Sequence, residues 1–234
     1  MEFRSATHRQ PGNPPEKEPE MPGAEEKKRM RRRNRAFLSG TVTADPQYSH
    51  TAHGELFFLF RIAVIRRSGT TDEVNVIISG RRLSSSETKI RPGARVKVSG
   101  QIRTCNERTD RRTHLRVFLF CLQIRPDGGT PDENSVFLDG FVCRPPVRRI
   151  SPLGREICDL LLAVNRAYGK SDYIPCIAWG NDARYASSFS VGDRVHLHGR
   201  FQSRQYGKKN SRGECEIQVS YEVSAAAVEK DTFR

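Results

Sequence analysis

The chain has 234 residues, with 40 Lys and Arg against 27 Asp and Glu, a net charge of +13 and a hydrophobic fraction of 36%. No stretch reaches the ~18–20 consecutive apolar residues of a membrane-spanning helix, and the opening MEFRSATHRQPGNPP lacks the apolar run of a secretory signal. A basic excess of this size points to a polyanionic partner, nucleic acid first.

Residues 1–33 read as a disordered tail. They carry 9 basic and 6 acidic residues, several prolines and almost nothing apolar, so burial cannot offset the entropy of ordering them. The tail closes on Lys27-Lys28-Arg29-Met30-Arg31-Arg32-Arg33, which is open to three readings: a solvated run, a phosphate-binding arm, or a segment preceding a natural start at Met30. Residues 34–125 form a first unit, with 16 basic and 7 acidic residues, net +9. Residues 126–133, PDGGTPDE, read as an acidic Pro/Gly linker. A second unit covers 134–224 and a short tail 225–234; together they hold 15 basic and 11 acidic residues, net +4.

The two units are copies of one pattern. Phe37-Leu38-Ser39-Gly40 recurs as Phe137-Leu138-Asp139-Gly140, Ala63-Val64 as Ala163-Val164, and Val76–Gly80 as Cys176–Gly180, each at an offset of 100. Pro92–Val96 and Gly100 match Val191–Val195 and Gly199 at 99. A repeat this regular marks a tandem duplication of one supersecondary unit.

In the second unit, Ser135–Arg144 alternates Val136, Leu138 and Val142, with Gly140 able to bend the strand. Ile157–Asn165 is nearly continuously apolar, as a strand packed on both sides would be. Tyr173–Trp179 alternates again, and Asn181–Phe189 reads as a short helix after an Asn/Asp cap. Arg194–Gln202 and Glu214–Val223 complete the set. Three strands, a short helix and two strands in ~100 residues is the order of the five-stranded OB barrel. The expected fold is therefore all-β: two tandem five-stranded OB barrels, each with a short helix between strands three and four.

On the third strand Ile174, Cys176 and Ala178 suit a barrel interior, which leaves Tyr173, Ile177 and Trp179 outside. Tyr173 and Trp179 would form a stacking platform for bases, extended by Tyr168 and Tyr206 in neighbouring loops. The alternative is that Trp179 is core and the tyrosines ordinary amphipathic surface. Candidate phosphate contacts are Arg166, Lys170, Arg200, Arg204, Lys208, Lys209 and Arg212 in unit two, and Arg66, Arg67 and Arg103 in unit one.

These residues carry a resemblance. Asn134-x-Val136-x-Leu138-x-Gly140, Pro152-Leu153-Gly154-Arg155-Glu156, Leu160–Val164 and Gly199-Arg200-x-Gln202-Ser203-Arg204 resemble the bacterial single-stranded DNA-binding proteins, in the tandem-OB form seen in Firmicutes. The resemblance implies stacking of DNA bases on four aromatics, matched here by Tyr168, Tyr173, Trp179 and Tyr206. It implies a role in replication, recombination and repair, a bacterial cytoplasmic, nucleoid-associated location, and a dimer presenting four OB domains. Two departures stand out. Unit one has Ser68, Glu73, Ser79 and Glu107 at the aromatic positions, and the chain ends VEKDTFR rather than in an acidic recruiting tip.

No phosphate-binding loop, nucleophile elbow, HExxH or cofactor motif occurs, so the expectation is a non-enzymatic binder without cofactor. Glu156 and Asp159 would face opposite ways on a strand and read as ion-pair partners of Arg155 or its neighbours. Cys105, Cys121, Cys143, Cys158, Cys176 and Cys215 show no CxxC pairing, and most lie in apolar runs, which fits a reducing compartment. His196 and His198 alternate on one strand without a third ligand, too few for zinc. RNA as the ligand, and an adaptor of a replication-restart or recombination complex, remain open as alternatives.

Overall fold

Period-two runs of β-branched and aromatic residues become strands throughout the computed structural model, which describes residues 33–109, 112–166, 169–209 and 215–232. Apart from Arg33, the N-terminal tail lies outside the described residues. Unit one contains β1 (Asn34–Ala52), β2 (Glu55–Ile65), β3 (Thr71–Ser79), α1 (Gly80–Ser85), β4 (Arg95–Thr109) and β5 (Arg112–Pro126). Unit two contains β6 (Glu133–Val142), β7 (Val147–Ile150), β8 (Glu156–Asn165), β9 (Ser171–Trp179), α2 (Gly180–Ala186), β10 (Arg194–Lys209) and β11 (Cys215–Lys230).

Each unit closes on itself. β1 pairs with β4 over Ala36–Thr41 and with β2 beyond Thr41, and β3 joins β5 in parallel. The same circuit, β6–β8–β9–β11–β10–β6, closes the second barrel. The strand changes partner at Gly40, where a Cβ would stand 2.3 Å from the Ala63 carbonyl oxygen, and its counterpart Gly140 makes the same close approach to Ala163 at 2.9 Å. Only glycine fits either bend. Closure pairs strand edges that an open sheet of five would have to protect. The expected two OB barrels, with a helix between the third and fourth barrel strands, are thus present.

The barrels join edge to edge. β1 and β6 run antiparallel from Asn34 opposite Leu138 to Ser39 opposite Glu133, making one 11-stranded sheet. Beside this seam, two asparagines each brace their own barrel. Asn34 donates to the Ile102 carbonyl at 2.7 Å and accepts from its N–H at 2.8 Å. Asn134 does the same to Phe201, at 2.7 and 2.8 Å. The interior is apolar, with Phe60, Leu38, Ile62 and Ile78 in unit one and Phe201, Leu138, Leu160 and Ile174 in unit two all fully buried.

Three local expectations need correction. Residues 225–230 are not a tail: they complete β11 against Val195–Gly199, burying Ala225 and Val228. Ile157–Asn165 is not packed on both sides along its length; Cys158, Leu160, Leu162 and Val164 face the core, while the intervening residues beyond Ile157 are partly or fully exposed. The cap of α2 is Trp179, which makes no side-chain cap bond, rather than an Asn or Asp. Of the six cysteines, Cys121, Cys158 and Cys176 are buried, Cys143 is half-buried, and Cys105 and Cys215 are exposed.

Candidate nucleic-acid interface

β9 places its side chains as its alternation requires. Ile174, Cys176 and Ala178 are buried, Tyr173 is 50% exposed, and Trp179 lies half-buried on the outer face rather than in the core. Ile177 departs from the expected outer set: it is 2% exposed. Six residues separate Tyr173 from Trp179, about 20 Å along a strand. The indole Nε1–H of Trp179 donates to Ser224 Oγ on β11 at 3.0 Å, which fixes the ring plane. Tyr206 projects from the β10–β11 ribbon, 37% exposed, with its hydroxyl on Gln218 at 3.1 Å and the Arg204 guanidinium 5.8 Å from its ring centroid. Tyr168 lies outside the described residues.

Trp179 lines an open groove of about 870 Å³ between the units, together with Arg155, Arg184, Arg200 and Arg204 of unit two and Arg66 of unit one. Tyr173 and Tyr206 lie beyond its lining. Its cations differ in how far they are already spent. Arg184 shares Glu156 with Arg148, and Arg204 sits 3.6 Å from Glu222. Arg200 has no carboxylate partner among the described residues; it reaches Gln202 at 3.3 Å, and its Nε is buried without a bond. Burial pushes the Arg200 guanidinium down from its ordinary value, and Arg66 nearby adds to the effect. A partly desolvated cation that forms no close ion pair, in the groove an indole lines, suits a phosphate next to a stacked base.

Arg66, Arg103 and Arg166, expected to meet phosphates, are also engaged where the two units meet. Arg66 grips the buried Asp72 through Nε and Nη2 at 2.6 and 2.5 Å and reaches across to Gln202 of unit two. Arg166 grips Asp172 in the same way and crosses to the Thr104 carbonyl of unit one at 2.9 Å. Arg103 stands 3.8 Å from Asp172 and bonds Gln101. A buried carboxylate claims each nearby guanidinium because an unpaired charge there would be far costlier. Arg67 and Lys170 are exposed, with no ion pair among the described residues. Lys208 and Lys209 end β10, but their side chains lie outside what is described, as does Arg212.

At unit one's counterpart positions, Glu73 accepts from Thr43 at 2.6 Å, Ser79 caps α1 at the Arg82 N–H at 3.4 Å, and Glu107 pairs with Arg116 at 3.2 Å. Ser68 is exposed and donates to Thr70 at 3.3 Å. Glu156 and Asp159 are ion-paired as expected, but to Arg148, Arg184 and Arg149 rather than Arg155. His196 and His198 flank the Phe137 ring at 6.1 and 4.7 Å. Arg155 and Arg184 were missed as groove residues; Arg184 does sit beside Tyr185 in the sequence, but only the fold brings both arginines to Trp179.

Residues 33–121 and 133–230 match the sequence profile of the single-strand binding protein family. The single-stranded DNA-binding protein of Thermus thermophilus is 27% identical over 226 residues, covering 85% of this chain and 84% of its own. Single-stranded DNA-binding protein 2 of Listeria innocua is 32% identical over 80 residues, 31% of this chain and 50% of its own. The wild-type single-stranded DNA binding protein from Thermus aquaticus superposes with a TM-score of 0.68 at 25% identity, covering 86% of this chain and 94% of that one.

Proposed function

We propose that this chain, which belongs to the single-strand binding protein family, coats single-stranded DNA without strong sequence preference, stacking bases on aromatics and meeting phosphates with Arg and Lys. The observation that carries this reading is Trp179, held half-buried at the groove that Arg200 also lines, the latter with its buried Nε free of any bond. Stacking supplies the preference for unpaired strands, because only unstacked bases offer a free face. The cations supply sequence-blind attraction that weakens as salt rises. The chain acts by binding, without catalysis or cofactor, in bacterial replication, recombination and repair, in the cytoplasm at the nucleoid. RNA would fit the same chemistry, since nothing in the groove reads a 2′-hydroxyl.

Two copies would associate into a particle of four barrels. Support comes from the outer face of the joined sheet, where Phe37 is 47% and Phe141 36% exposed beside the seam. Light scattering tests the copy number.

Titrating oligo-dT against the fluorescence of Trp179, the one tryptophan of the chain, tests the reading. Quenching that weakens steeply with salt is expected. Unchanged fluorescence at saturating oligonucleotide would overturn it.

A further inference from the structure

The sequence repeat leaves unit one without aromatics at the stacking positions, but the strand registers show where they went. In unit two β9 and β11 pair with Ile177 opposite Ser224, and in unit one β3 and β5 pair with Ile77 opposite Phe120. Phe120 is therefore the spatial counterpart of Ser224. The indole–serine pair Trp179 and Ser224 of unit two becomes the serine–phenyl pair Ser79 and Phe120 of unit one. The large ring has crossed the parallel ladder by one strand, about 4.8 Å.

On the other side of Ser79 the antiparallel ladder places Phe57 opposite it, where unit two has Ile157 opposite Trp179. Phe57 and Phe120 are in contact, with centroids 6.0 Å apart, and both are half-buried, as Trp179 is. The imidazole of His50 already lies flat on Phe57, at 4.9 Å with planes 11° apart, so this surface holds a planar heterocycle in the geometry a base would take. The Arg103 guanidinium stands 5.5 Å from the Phe120 centroid, and the exposed Arg82 lies near enough to be felt by Cys121, the next residue along β5. The patch lies in the more basic unit, net +9 over residues 34–125.

We propose that unit one carries a second base-stacking platform, built from Phe57 and Phe120 with His50 beside them, which takes single-stranded DNA continuing from the unit-two groove. The inference rests on the DNA-binding reading above. It assigns unit one a direct share of the ligand through residues that the repeat does not align.

Two indole reporters separate the possibilities. In the wild type the signal comes from unit two alone; in W179F/F120W it comes from unit one alone. OB folds occupy ~4–16 nucleotides each, so an oligo-dT of about 10 nucleotides engages one barrel and one of about 30 reaches both. Expected are quenching of the wild type by both lengths and quenching of the double variant by the longer one. Quenching of the wild type but never of the double variant, with both folded by circular dichroism, overturns this inference and leaves the unit-two reading standing. Silence in both overturns both. As a measurement that needs no variant, photo-cross-linking of iododeoxyuridine-substituted oligo-dT to the wild type should yield adducts on peptides carrying Phe57 or Phe120, and adducts confined to unit two would overturn the proposal. F57A/F120A should weaken the longer oligonucleotide roughly 10-fold and leave the shorter unchanged. A variant that changes copy number in light scattering without changing either affinity would assign the patch to a second copy and refute the platform.

Discussion

Ala36 stands directly opposite Val136, its own counterpart one hundred residues further along the chain. A strand pair that matches a residue with its repeat equivalent has a local two-fold axis at that point. The two barrels therefore face each other as protomers of a symmetric dimer would. Asn34 and Asn134, Arg66 and Arg166, and Asp72 and Asp172 fall into related places around the axis.

The asparagine braces should be expensive to remove. In N34A the buried N–H and C=O of Ile102 lose their side-chain partner, and each unsatisfied group costs about 1–3 kcal/mol. Urea denaturation should show a summed loss of about 2–6 kcal/mol with little change in the affinity for short oligo-dT.

Stability and binding should separate among the arginines. R166A leaves the buried Asp172 with the Thr104 N–H at 2.6 Å and, as its remaining cation among the described residues, the more distant Arg103 at 3.8 Å, and a loss of about 3 kcal/mol is expected on thermal or urea unfolding. R200A removes a groove cation instead; it should lower the salt slope of log K for oligo-dT by about one and leave unfolding nearly unchanged. The reverse assignment of the two effects would refute the division.

Much of the division into barrels was readable from the chain. Offsets of 100 in three segments and 99 in a fourth announced the duplication, and the strand alternation sorted Tyr173 and Trp179 from Ile174, Cys176 and Ala178. What escaped depends on pairings between distant segments. The partners of Arg66 and Arg166 each lie six residues ahead, across the hairpin turn, and the recurrence of that Arg–Asp spacing in both units was an unused signal. β10 and β11 run past the barrel as a two-stranded ribbon, SRQYGKK, polar on both faces, so no alternation marked its length. Phe120 was hidden because Ser224 is its match in the ladder, beyond a hairpin of different length in each unit. An offset of about 100 cannot bring those two together.

Trp179 gives the sharpest binding prediction. W179A should lose about 1–3 kcal/mol of oligo-dT affinity, whereas W179F keeps a ring and should lose less. S224A removes the acceptor of the indole N–H without touching the ring face. It should alter the emission maximum of the free protein more than its affinity, as equilibrium titration of the three variants would show.

Acid should remove the stability that the linker carboxylate contributes. A hydrogen bond from Ser39, with others from Thr130 and Arg95, holds the Asp127 carboxyl well below the usual carboxylate range. Glu156, bonded by Arg148 and Arg184, and Asp193, bonded by Lys230, are lowered too. A depressed folded value contributes stability that is complete above the ordinary unfolded value and disappears as pH falls through the lower one. The thermal midpoint should therefore be flat from pH 7 to about 5 and fall below about pH 4. D127N should start lower and converge on the wild type in acid. Parallel curves would show that the Asp127 charge is not what matters.

Truncation after Ser224 would strip Ala225 and Val228 from the second barrel and remove the last pairings of β11. Loss of cooperative unfolding in unit two, followed through Trp179 emission, is the expected result.

The short linker between the barrels, pinned by Asp127 and Asp132 to Arg95, has a consequence for how the protein behaves when scarce. Two separate barrels would have to find each other by diffusion, and their pairing would dissolve as they were diluted. Tethered ends hold each other at an effective concentration on the order of millimolar. The β1–β6 seam therefore persists at any cellular abundance, and only assembly beyond it answers to supply.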